Sequence, residues 1–142
     1  MESLHPLVVH FPIALLLTAV GLDLAALVFK RPGLHRIALW NLTLGTCGAA
    51  VAVWSGLEAE EMAKHSFEIW QVMQLHERLG ISTLILGLVG AGGRLLFRDH
   101  LTSRWRLVAM LLAVGMLGTL SYGAYLGGRM VYEFGVGGSF GR

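Results

Sequence analysis

His10 and His76 are the side chains of this sequence whose type and setting point to chemistry. His10 falls one turn inside an apolar run, where an imidazole is costly in lipid unless something binds it. His76 opens another apolar run and is followed one turn later by Gly80, so it projects from a second helix at a similar depth. Neutral imidazole is the usual axial ligand of a b-type haem, held in a bundle by one histidine from each of two helices. His10 and His76 are therefore expected to form an axial pair, with His5 or His65 available for a second haem, a propionate contact or a supporting role. His65 would share a face with His76 if one helix carried both. The same donors suit copper or zinc as a less favoured choice, with Met62, Met73 and Glu61 close in sequence or topology. Without a cofactor, His10 would bond a backbone carbonyl beside the Pro12 break and His76 would cap its helix.

The elements that must position these histidines are membrane spans. The chain has 142 residues, 55% hydrophobic and only 14% charged, a composition that a soluble domain of this size does not sustain. Four runs are long enough to cross a bilayer, about residues 7–29, 37–57, 74–97 and 105–127. The expected fold is all-α, a polytopic four-helix bundle forming one domain. The first run lacks a basic leader and a small-residue cleavage signal and is expected to stay as a helix. Residues 58–73 form the longest polar connection, with Met62, Ile69, Trp70 and Met73 at helical spacing. They are expected either to lie at the interface as an amphipathic helix or to extend the third span. Residues 128–142 form a glycine-rich tail that is expected to fold back as a lid or to pack on a partner subunit.

Positive charge near span ends stays in the cytoplasm. One side holds Lys30, Arg31, Arg36, Arg94, Arg98, Arg104 and Arg106 against Asp99 alone. The other holds Lys64, Arg78, Arg129 and Arg142 against Glu2, Glu58, Glu60, Glu61, Glu68, Glu77 and Glu133. The basic side is read as cytoplasmic, which puts both termini on the periplasmic side of a bacterial inner membrane. His5, His10, His65 and His76 then gather at the outer face, while His35 and His100 sit among arginines as ordinary interfacial residues.

Other polar and small residues carry weaker expectations. Asp23, inside the first span, is expected to pack by hydrogen bonding, for example to Thr43, rather than to relay protons, since no second buried carboxylate is present. Cys47 is expected as a small core residue. Gly45, Gly48, Gly87, Gly90, Gly92, Gly93, Gly115 and Gly118 are expected to let helices approach closely, or else to make room for a flat cofactor. Trp40, Trp54, Trp70 and Trp105 read as interfacial belt residues. Tyr122 and Tyr125 would do the same or touch a quinone. No nucleophile–base pair, phosphate loop or nucleotide fingerprint is present, so neither a self-contained hydrolase nor a nucleic-acid partner is expected.

The opening His5-Pro6-Leu7-Val8-Val9-His10-Phe11-Pro12-Ile13-Ala14-Leu15 resembles that of a bacterial family of small membrane proteins catalogued as domain of unknown function 2231, which begins HPxxVHFPIxL. The likeness covers the whole chain, including His76 and a closing stretch Gly127-Gly128-x-x-Val131-Tyr132-x-x-Gly135-Val136-Gly137. Many members read LVYxHGVG there, with histidine where this chain has Phe134. The departure removes one ligand from any site of four histidines, leaving His65 to substitute or only one haem to remain. The resemblance implies association with respiratory cytochromes. Together these readings give an integral subunit of an electron-transfer complex. It would bind b-type haem near the periplasmic face, work beside other membrane subunits, and pass electrons between quinol and a periplasmic cytochrome or cupredoxin. The alternative is a cofactor-free structural or assembly subunit of a larger membrane complex.

Overall fold

The computed structural model describes residues 5–62, 66–97 and 103–136. They form four helices: α1 (His5–Val28), α2 (Gly33–Met62), α3 (Phe67–Leu96) and α4 (Ser103–Tyr132). Each contains a stretch long and apolar enough to cross a membrane, so the chain is an all-α polytopic bundle, as its composition implies. In lipid every backbone N–H and C=O must be met inside the chain, and continuous helices do this within each crossing. The described part of 58–73 is shared between two helices: α2 runs on to Met62, and α3 begins at Phe67 behind the N-cap Ser66. The helix of α4 likewise continues into the first residues of the tail, as far as Tyr132.

The helix ends explain several loop residues. Beyond α1, Lys30 takes a left-handed φ of 52° and Arg31 N–H bonds Ala26 O at 3.0 Å. Beyond α4, Gly135 takes φ 66° and Val136 N–H bonds Met130 O at 2.9 Å. The first is a six-to-one closure and the second is one residue longer, and both meet a carbonyl of the last turn of a helix. The Gly135-Val136 step of the tail motif is thus a helix stop.

Neighbours in sequence are neighbours in space: α1 packs on α2, α2 on α3 and α3 on α4, while α1 only brushes α4. The backbones of α1 and α3 do not approach each other. A slim core of Leu16, Ala19, Val20, Leu42, Ala49, Ala91 and Met116 runs down the middle. Large apolar side chains such as Leu17, Leu44, Ile85 and Leu111 point outward, which is the arrangement expected where lipid is the solvent. Trp40, Trp54, Trp70 and Trp105 are all exposed, in keeping with a belt role.

Small residues make the close contacts. A Cβ on Gly45 would lie 2.9 Å from Leu16, and one on Gly48 would lie 3.3 Å from Pro12, so both admit α1 against α2. At Gly87 the added carbon would fall 2.6 Å from Thr46 Oγ1, which brings α3 hard against α2. Gly92, Gly93 and Gly118 face open space instead. Cys47 is exposed on the outer side of α2, not in the core. Its helix is apolar all round, so hydropathy did not reveal which face turned inward.

Candidate functional site

His76 lies on the inward stripe of α3, in line with the buried Thr83, Gly87 and Ala91. Its Nδ1–H donates to Gly123 O of α4 at 2.8 Å. A Cβ on Gly127, one turn further along α4, would come within 3.2 Å of His76 Cε1. Two glycines of α4 therefore seat the ring, one as hydrogen-bond acceptor and one by leaving space. With Nδ1 as the donor, the neutral imidazole carries its lone pair on Nε2, the form a metal requires. Below this seat, Thr83 Oγ1 donates to Thr119 Oγ1 at 2.9 Å across the same helix pair.

His10 has a different aspect. The buried stripe of α1 runs through Pro12, Leu16, Ala19, Val20 and Ala26. At 3.6 residues per turn, His10 stands roughly 150° around the helix from that stripe. It is exposed, on the outward face of α1. His10 and His76 thus project from helices whose backbones do not meet, one outward and one inward. His5 begins α1, while His65 and His100 lie outside the described residues. Among the described residues no group of three or more His, Cys, Asp or Glu side chains converges as a metal site.

At the opposite end the structure assembles a polar cluster for which only one member stood out in the sequence. Asp23 of α1 accepts from His35 Nδ1 of α2 at 2.8 Å and takes both guanidinium branches of Arg94 from α3. Arg94 also donates to His35 O at 3.0 Å. Asp23 is paired as its depth requires, but not with Thr43, whose hydroxyl bonds Leu39 O in its own helix. His35, expected as an ordinary interfacial residue, is one of the three partners. The available signal is charge at matched depth: Asp23 and Arg94 each lie within two turns of the end of a span, on the side that carries most of the basic residues. A small cavity of about 30 Å³, enough for one water, opens between this cluster and Leu42, Leu86, Met116 and neighbours from all four helices.

At the C-terminal end of α4, Arg129 Nε donates to Glu133 Oε2 at 2.8 Å, and this bond holds the Glu133 carboxyl below its ordinary range. Tyr122 and Tyr125 stack at 6.2 Å on the exposed face of the same helix.

The chain belongs to the family described as predicted membrane protein (DUF2231), whose model matches residues 1–139. No curated protein and no solved structure matches it.

Proposed function

We propose that this chain is an integral subunit of an electron-transfer complex of the bacterial inner membrane, with b-type haem bound at its outer, periplasmic end and His76 as an iron ligand. The observation that supports this is the His76 Nδ1–H bond to Gly123 O, which fixes the ligating tautomer and the ring plane from a backbone acceptor. In its neutral form a histidine so oriented would carry its lone pair on Nε2.

His76 would be the ligand this chain contributes, and the exposed, outward aspect of His10 favours a separate role for it. Facing away from the bundle, His10 would serve a group held against the outside of α1, such as a haem shared with a neighbouring subunit. His5 and His65, which the sequence puts toward the same membrane face, would be the candidates for a further ligand. When bound, haem supplies one-electron chemistry, and the chain supplies its position and its exclusion from bulk water. The basic inner end, with Lys30, Arg31 and Arg36, supports the orientation with both termini outward.

The cofactor-free structural subunit remains the second reading. What favours it is that the Gly123 bond by itself ties α3 to α4, a structural role. Haem quantified as pyridine haemochrome per chain, after purification in mild detergent from haem-sufficient cells, separates the two. One or two haems per chain supports the redox subunit, and a folded, colourless protein supports the structural one.

A further inference from the structure

The turn between α1 and α2, like the end of α4, is closed by a backbone bond to the last helical turn from the residue after one of left-handed φ. Where α4 uses Gly135 at the left-handed position, the inner turn uses Lys30. Glycine is favoured there because a side chain is strained at such a φ, so the lysine is held against a conformational preference. Arg31 follows at once and Arg36 lies in the first turn of α2; all three are exposed. The turn itself is stiff: Arg31 N–H bonds Ala26 O, Leu34 N–H bonds Arg31 O at 3.1 Å, and Pro32 fixes the backbone between them. Among the described residues the only acidic side chain at that end is Asp23, and it is already engaged by His35 and Arg94. Exposed Phe29 adjoins the turn and exposed Trp40 lies two helical turns along α2, residue types that favour the membrane interface.

We propose that Lys30, Arg31 and Arg36 form a binding site for the phosphate headgroup of an anionic lipid of the leaflet they face. The cations are pre-placed by a rigid turn, no carboxylate competes for them among the described residues, and the nearby aromatics favour the membrane interface. The ligand chemistry is a phosphate monoanion, and the source is the lipid, because the turn ends a membrane span on each side.

The test is native mass spectrometry of the full chain in detergent supplemented with phosphatidylglycerol or phosphatidylcholine, alongside K30G, R36Q and, at the other face, R129Q. Wild type should retain phosphatidylglycerol over phosphatidylcholine, and each cation removed should lower that retention about fivefold, with R129Q unchanged. K30G should melt no lower than wild type without lipid, since glycine suits the left-handed position, which separates lost binding from lost folding. Equal retention of the two lipids, or undiminished phosphatidylglycerol on K30G and R36Q, would overturn the proposal. So would matching stabilisation by soluble glycerol phosphate, which would make the site one for free anions.

Discussion

Arg94 of α3 reaches across the bundle to grip Asp23 of α1, joining two helices whose backbones never come together. The contact is bidentate and mostly shielded, with the arginine side chain 15% and the aspartate 26% exposed. Removing one partner strands the other charge in a poorly solvated place. R94M is expected to cost about 2 to 3 kcal/mol, below the full value for a wholly buried pair because water reaches Asp23. The double variant D23L/R94M should recover most of that loss, since two apolar side chains leave no stranded charge. Melting temperatures in mild detergent check both statements, and a double variant as unstable as the single one would refute them.

Gly87 and Thr46 set the separation of α2 and α3. A methyl group on Gly87 meets the Thr46 hydroxyl, which is itself tied to Leu42 O at 2.7 Å. G87A is expected to destabilise by about 1 to 3 kcal/mol through overpacking, and T46A should relieve part of it. G92A, placed where nothing lies within 4 Å, should fall within about 0.5 kcal/mol of wild type. Parallel thermal melts of the three variants make the comparison.

Glu133 gives a small pH dependence whose sign follows from its bond to Arg129. Its folded carboxyl lies below the ordinary range. Its contribution is therefore present above the unfolded carboxylate value and is lost as pH falls through the folded one. Both side chains are well exposed, so the effect should be slight. Melting temperature measured against pH for wild type and E133Q should differ by a small acid-side slope and agree under acid conditions.

Orientation has its own reporter. A periplasm-dependent phosphatase fused after Arg142 should be active in a bacterial host, and a cytoplasm-dependent fluorescent protein at the same place should stay dark. The reverse pattern would invert the bundle and put His76 at the cytoplasmic face.

The spans could be read from the sequence because lipid demands about twenty apolar residues per crossing and the chain meets that demand four times. The facing of each helix could not. In water a helix declares its inner face by polarity; Cys47 and the residues around it are apolar on every side, so inward and outward looked alike. The same uniformity hides the helical phase of His10 and His76, which the sequence puts at matched depth and their helices turn outward and inward. Asp23 declares its need for a partner by depth alone, but Arg94 is distant in sequence and reads there as one more basic residue at its end of the bundle. The role of Gly123 was hidden for another reason: it acts through its backbone carbonyl, which every residue possesses.

The most direct measurement is the dithionite-reduced minus oxidised visible spectrum of purified wild type beside H76A and H10A. If His76 ligates iron, wild type shows the sharp reduced α-band of b-type haem, H76A loses or broadens it, and H10A keeps it in the monomeric chain. A haem spectrum unchanged by H76A, or no haem band in folded, haem-supplied wild type, would contradict the assignment.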